Sequence, residues 1–312
     1  MPEDANGTQD DLVEVLLSTY NGERYLPELL ASVWAQSGVD LALSVRDDGS
    51  TDGTIKLLEC QLRGHPARLR VGEHLGAAQS FMTLLREVSP TCSYAAFCDQ
   101  DDVWLPGKVA AAISALKGLD NNQSPTLYCS AVNLTSEDLT HIRVHRRCTR
   151  RASFENALVE NIATGCTIVL NRAAIDLLAS RHPQRLLMHD AWCYLVVAGC
   201  GKVVYDPVPR VLYRLHSSNT VGVGTTLKSE WSRRVRRQLS EGRQRVLTRQ
   251  AEELGQLYGD RLCPEASRSL QDFLVSQSSL SERLHYTFRG AAYRQRRVDD
   301  LIYRLLYMFG RI

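Results

Sequence analysis

Over its first two thirds this chain alternates short apolar runs with amphipathic stretches, a pattern that confines it to β-α units around a largely parallel sheet flanked by helices. LVEVLLSTY (12–20) predicts a strand, and ERYLPELLASVWAQ (23–36) a helix with apolar positions Tyr25, Leu29, Leu30, Val33 and Trp34. LALSV (41–45) is the next strand, followed by the helix TIKLLECQL (54–62); RLRVG (68–72), the helix AQSFMTLLREV (78–88) and YAAFC (94–98) complete four strand units. Beyond them the sequence predicts the helix KVAAAISALKGL (108–119), a strand at TLYCSAV (126–132), a basic loop around HIRVHRRCTRR (141–151) and a strand at CTIVL (166–170). Three polar clusters follow the strand runs: STYNGE (18–23), RDDGSTDGT (46–54) and DQDD (99–102). In open α/β sheets the ligand crevice lies at the carboxyl ends of the strands, so the joint placement of the three clusters is the strongest signal in the chain.

With 312 residues, 44% of them hydrophobic, there is apolar material for one large α/β domain and an appendage. SSNTVGVGTT (217–226) divides the two as a linker or a mobile lid. The expected units are 1–227, which holds the polar clusters, and 228–312, basic and mainly helical from KSEWSRRVRRQLSEGRQRVLTRQAEELGQLY (228–258) onward. The net charge of +2 conceals this split. From Lys228 on, about seventeen Lys/Arg face about ten Asp/Glu, a balance of about +7, which leaves about −5 for the rest.

The polar, acidic start MPEDANGTQDDLVEV lacks the basic and apolar regions of a signal peptide, and LIYRLLYMF (301–309) is too short for a bilayer span and carries Arg304. Nine cysteines, an odd number without metal-ligand spacing, fit a reducing compartment. A cytoplasmic protein, soluble or peripheral at the membrane, is expected.

In RDDGSTDGT a strand-turn-cap-helix accounts for Gly49, Ser50 and Asp52, but not for the adjacent acids Asp47 and Asp48; a carboxylate there can accept hydrogen bonds from a nucleobase imide or a ribose hydroxyl. STYNGE leads into a helix N-terminus that favours phosphate, with neither a G-x-x-x-x-G-K-[ST] nor a G-x-G-x-x-G nearby, which argues against a P-loop NTPase and a nicotinamide dehydrogenase. Asp99-x-Asp101 offers hard oxygen ligands to Mg²⁺ or Mn²⁺, and a solvated acidic turn before Pro106 is the bland alternative. Asp190, at the start of an apolar helix, is either a good cap or a general base; His216, at the end of an apolar strand, is either a satisfied histidine or a third metal ligand. For His189 and for the basic loop at 141–151 a structural role is the favoured one.

In this order and spacing, STYNGE, RDDGSTDGT, FCDQDDVW, TGCTIVLNR, HDAWCYL and YRLHSSNTVG resemble glycosyltransferase family 2, especially its rhamnosyltransferase-like branch, over about residues 12 to 225. The resemblance implies a GT-A fold with a C-terminal helical extension, a nucleotide-diphosphate-sugar donor and an inverting single displacement assisted by a divalent cation. It implies that Ser18, Tyr20, Asn21 and Asp48 contact the nucleotide, and that Asp101 is the principal metal ligand with His216 nearby. Asp99 and Gln100 then lie near ribose, diphosphate and metal, Gly165 and Cys166 border the sugar or acceptor pocket, and Asp190 is the base. The family's usual E-D pair reads His189-Asp190 here. The branch favours a dTDP-rhamnose donor over a UDP-sugar, and a glycan or lipid-linked acceptor. No Q-x-x-R-W motif of processive synthases is present, so single transfer is expected.

The basic C-terminal helices suit either docking on an anionic membrane face or simple packing on the catalytic domain. Nucleic acid is not an expected partner, because no aromatic platform or motif accompanies the arginines. A sugar nucleotidyltransferase would want a glycine-rich basic loop that STYNGE lacks, and an inactive binding subunit sits poorly with the retention of Asp48, Asp99, Asp101 and Asp190.

Overall fold

The computed structural model describes residues 11–120, 123–146, 148–216 and 245–310. Strands β1 (Leu12–Thr19), β2 (Asp40–Asp47), β3 (Ala67–Val71) and β4 (Tyr94–Asp99) run parallel, connected by helices α1 (Leu26–Trp34), α2 (Thr54–Gln61) and α3 (Ala77–Arg86). After β5 (Val103–Trp104) and α4 (Lys108–Asp120), strand β6 (Thr126–Ser130) joins the same sheet. β9 (Val169–Asn171) inserts antiparallel between β4 and β6, and β10 (Lys202–Asp206) pairs parallel with β6. The resulting order is β10-β6-β9-β4-β1-β2-β3. The chain steps outward from β1 to β3 and then returns to the other side of β1 for β4. This reversal opens a crevice at the carboxyl ends of β1 and β4.

Residues Val13, Val15, Leu16 and Leu17 are fully buried because β1 is central and covered on both faces. Val13, Val15 and Leu17 join one apolar cluster and Leu16 the other, the period-two alternation of a strand. A second sheet, ordered β5-β11-β7-β8, is built from β7 (Val132–Thr135), β8 (His141–His145) and β11 (Val211–Arg214) against β5.

Three sequence expectations change. TLYCSAV is two strands, β6 and β7, because the chain crosses between sheets at Ala131, whose N–H is held by the Asp206 carbonyl and whose own carbonyl accepts from Arg210 N–H. The basic loop contains strand β8, paired antiparallel with β7; its exposed Ile142 and Val144 alternate with histidines and an arginine on the edge of the sheet. CTIVL opens as a 3-10 turn, Gly165–Thr167, and only Val169–Asn171 pairs as a strand.

Helices α5 (Phe154–Ala157), α6 (Arg172–Ala179) and α7 (His189–Cys200) cover one face. The C-terminal helices α8 (Val246–Tyr258), α9 (Pro264–Val275), α10 (Leu280–Arg289) and α11 (Arg297–Met308) continue that layer: Leu254, Tyr258, Phe273 and Tyr307 share one apolar cluster with Trp192 of α7 and Phe97 of β4. The Gln295 side-chain carbonyl accepts from Thr149 N–H at 3.0 Å and Arg150 N–H at 2.7 Å, and the Glu253 carboxylate accepts from Arg185 N–H at 3.0 Å. The expected linker at 217–226 and the first part of the expected helix at 228–258 lie outside the described residues; α8 supplies the rest. Among the described residues no helix is long and apolar enough to cross a membrane, and no two cysteines are joined by a disulfide.

Candidate active site

Parallel pairing sets Thr19 beside Asp47 and Ser18 beside Asp99, which brings the three cluster-bearing strand ends to one edge. The Gln100 side chain closes the gap between two of them: its Oε1 accepts from Tyr20 N–H at 2.9 Å and its Nε2 donates to the Tyr20 carbonyl at 3.0 Å. A Cβ on Gly22 would lie 2.3 Å from Gln100 Oε1, so this approach requires glycine. Asn21 adopts φ 49°, donates its N–H to Ser50 Oγ at 2.8 Å and accepts from Thr51 N–H at 2.8 Å. STYNGE and RDDGSTDGT are thereby laced together.

Both acids that a simple turn left unexplained have protein partners. Asp47 accepts from the Gly49 and Ser50 N–H groups and from the Thr19 and Ser50 hydroxyls. Asp48 pairs with buried Arg46 and accepts from Leu75 N–H at 3.0 Å and Gly76 N–H at 2.7 Å, which fastens the loop between β3 and α3. Burial alone would raise the Asp48 carboxyl, but the Leu75 amide, Arg46 and the Gly76 amide outweigh it and hold the group below its ordinary value. Above Asp48 the exposed ring of Tyr20 lies against His74, centroids 4.5 Å apart. Ser18 is half-buried and donates to Ser80 Oγ at 2.8 Å.

The DQDD turn gathers more charge than its sequence discloses. Asp101 Oδ2 meets His216 Nε2 at 2.7 Å, and the Tyr25 ring stacks on His216 at 5.1 Å. Asp99, Asp102 and Cys166 place ligand atoms within 4.8 Å of one another. Burial pushes the Asp99 carboxyl up to about 8, helped by the charges of Asp101 and Asp190, and Asp102 well above the carboxylate range, helped by Asp101 and Asp99. Beneath them the Lys108 ammonium is fully buried, 3.5 Å from the Trp104 ring centroid, and burial lowers it to about 8. Neither Lys108 Nζ nor Asp102 Oδ2 has a hydrogen-bond partner among the described residues. Crowded carboxylates that resist ionisation and an orphaned oxygen donor fit a divalent cation.

Arg214 holds this turn in shape. Almost fully buried, it donates its backbone N–H to Asp102 Oδ1 at 3.1 Å, Nε to the Asp101 carbonyl at 2.8 Å, and Nη2 to Glu28 at 2.6 Å. It is the last residue of β11, two before His216, so the strand supplies the brace and its exit the imidazole.

Asp190 lies in the first turn of α7 and accepts from Ala191 N–H at 2.7 Å; its charge reaches Asp99. Gly165 faces it: a Cβ there would stand 3.7 Å from Asp190 Cβ and 3.0 Å from His189 Nε2. His189 is buried between Phe81, 4.1 Å away, and Phe97, 4.9 Å away; burial lowers it to about 4, and neither ring nitrogen has a partner among the described residues. Cys166, expected beside Gly165 on the pocket wall, instead turns its thiol inward against Asp102 and has no exposed surface, because the 3-10 turn points consecutive side chains in different directions. Gly165 is buried as well, with the Asp190 and His189 side chains next to it.

Asp102, Lys108, Arg214, Tyr25 and Ser80 were not legible as site residues. Asp102 stood in a marked stretch as the last acid of DQDD, and Arg214 as the second residue of YRLHSSNTVG, neither with a role attached.

Residues 14–178 match the family model described as Glycosyl transferase family 2. The chain is 27% identical over 232 residues to the dTDP-rhamnosyl transferase RfbG of Shigella flexneri, covering 70% of this chain and 77% of that one, in agreement with the rhamnosyltransferase-like motifs. It is 30% identical over 170 residues to the UDP-Glc:alpha-D-GlcNAc-diphosphoundecaprenol beta-1,3-glucosyltransferase WfgD of Escherichia coli, over 54% of this chain and 63% of that one. Among solved structures, S. aureus TarS 1-349 in complex with UDP-GlcNAc superposes with a TM-score of 0.57 at 13% identity, covering 96% of this chain and 81% of that one, a likeness of GT-A fold. The family match spans more than half of the chain, from the first strand through the acidic turn to α6, and on that ground the protein belongs to glycosyl transferase family 2.

Proposed function

We propose that this glycosyltransferase, which uses a nucleotide-sugar donor, moves one rhamnose from dTDP-rhamnose to a hydroxyl of a cell-surface glycan or lipid-linked acceptor, with inversion at the anomeric carbon. The mechanism draws its support from the Asp101–His216 contact at 2.7 Å and from the closeness of Asp101 and Asp190 to Asp99, whose carboxyl the charges of both raise. The rhamnose assignment draws its support from the motif order and from the resemblance to a rhamnosyl transferase.

Tyr20 and His74 offer the exposed aromatic surface on which a base stacks, with Ser18 and Asn21 below it. Asp48 supports this surface by fixing the loop that carries His74, and Gln100 fixes Tyr20. Asp99, Asp101 and His216 would hold Mg²⁺ or Mn²⁺, which when bound neutralises charge on the leaving diphosphate. Asp190 accepts the proton of the acceptor hydroxyl as its oxygen bonds to the anomeric carbon and the bond from that carbon to the diphosphate breaks. Gly165, without a side chain, lets the His189 ring and Asp190 pack close against the 3-10 turn. Residues 1–227 serve as the catalytic unit, and 228–312 as a basic helical extension at the cytoplasmic face of the membrane, where a lipid-linked acceptor is presented.

The test is calorimetric titration with dTDP, UDP and GDP, each with and without Mn²⁺. The expected result is Mn²⁺-dependent binding of dTDP, weakened at least tenfold by Asp101→Asn, with Asp190→Asn retaining the nucleotide while transfer falls about 10²–10⁴-fold. A folded sample that binds none of the three would overturn the proposal.

A further inference from the structure

The stretch LIYRLLYMF, too short to cross a bilayer, falls in α11 and its C-cap, and this helix has two apolar sides. Tyr303 and Tyr307 are buried in the core. On the opposite side Val298, Leu301, Leu305 and Phe309, exposed at 61, 60, 48 and 69%, recur at helical spacing and form one outward stripe about 16 Å long. Phe288, at the end of the neighbouring α10, is 80% exposed. Single exposed apolar side chains are ordinary; four along one helix face leave a surface that ordinarily has an occupant.

The charge around the stripe selects that occupant. Exposed Arg296 and Arg297 adjoin Val298, and exposed Arg289 adjoins Phe288. Of the two acids in the first turn of α11, Asp300 is held by Arg304 and by the Arg294 N–H. An anionic lipid surface meets all of these arginines with opposite charge, wherever along the face they stand.

We propose that the outer face of α11, Val298, Leu301, Leu305 and Phe309 with Arg296 and Arg297, is a membrane-docking surface that inserts into the headgroup region of an anionic phospholipid bilayer. This deepens the lipid-linked acceptor reading above and rests on it. The loop joining α10 to α11 ties the surface to the catalytic layer, since Gln295 binds the Thr149 and Arg150 amides and Tyr293 meets Ser153, whose carbonyl accepts from Tyr194 of α7. Docking through α11 would therefore orient the helix that begins beside Asp190.

The test is flotation of the full chain with vesicles of phosphatidylcholine alone or with phosphatidylglycerol, alongside nucleotide titration of the same samples. Wild type is expected to float with the anionic vesicles, with at least tenfold loss in Leu301→Glu/Leu305→Glu and a salt-sensitive loss in Arg296→Glu/Arg297→Glu, all three keeping the same far-UV spectrum and nucleotide binding. Flotation of Leu301→Glu/Leu305→Glu equal to wild type, or none by wild type, would overturn the docking surface. So would a wild-type dimer that does not float and that the leucine pair dissolves, since the face would then belong to a second copy. Flotation without nucleotide binding would leave the surface standing and remove the transferase reading instead.

Discussion

At the scale of single residues, His189 makes the acid sensitivity of the site measurable. Burial between Phe81 and Phe97 lowers its pKa to about 4, against an ordinary value near ~6.5, so between those limits the unfolded chain binds the extra proton and stability rises with pH. Moving from pH 6.5 to 4 therefore costs about 3 kcal/mol through this one ring. Asp99 acts with the opposite sign, because its folded value is raised to about 8, so the stability it favours is present at low pH and is lost as pH rises toward 8. The informative quantity is thus the difference between variants. In urea unfolding at pH 6.5 and 4, His189→Phe or His189→Leu is expected to lose about 3 kcal/mol less than wild type over that interval. Equal losses would remove His189 as the source.

At the scale of elements, the strand exits depend on side chains that substitute for backbone. Gln100 pairs with Tyr20 through both its carbonyl and its amide, and Gly22 leaves the space for it. Gly22→Ala is expected to displace Gln100, free the Tyr20 loop and weaken nucleotide binding at least tenfold, while the melting temperature falls by only a few degrees. In a double-mutant cycle, Gln100→Ala should add little further loss; additive losses would mean that the two residues act separately. Much of this arrangement was readable in advance. The alternation placed β1 to β4, and composition alone marked the three polar exits. What could not be read were partners far apart in the chain. Arg214 meets the carbonyl of Asp101 more than a hundred residues away, Lys108 lies under DQDD through the packing of α4, and Asp48 faces amides beyond β3. The β6-β7 corner escaped because TLYCSAV is one continuous run, and edge strand β8 because its alternating Ile142 and Val144 stand among histidines and arginines. The inward turn of Cys166 follows from 3-10 geometry that the run CTIVL conceals.

At the scale of the molecule, the C-terminal helices share a core with the sheet. Leu254, Tyr258, Phe273, Tyr303 and Tyr307 pack in the cluster that contains Trp192 and Phe97. A chain ending at residue 245 would expose one side of that cluster, an uncompensated loss of apolar burial. Such a truncation is expected to be poorly soluble or to melt more than about 10 °C below the full chain. A truncated form melting within about 2 °C of the full chain would mean that the helices contribute nothing to the core's stability.

The crossing of β6 into β7 has a mechanical consequence. β5, which directly follows the DQDD turn, is bonded to β11, and β11 to β7, which is the onward run of a strand of the large sheet. The turn bearing Asp101 and the strand that leads to His216 are thus parts of one stiff plate, and they cannot be drawn apart without shearing rungs of that plate. Compliance at the crevice must lie on the other shore, in the loop after β1, whose hold on the plate includes the two Gln100 bonds to Tyr20. The wall that carries the acids is the anvil, and the loop that carries Tyr20 can give only as its side-chain ties to Gln100, Ser50, Thr51 and Thr54 let go.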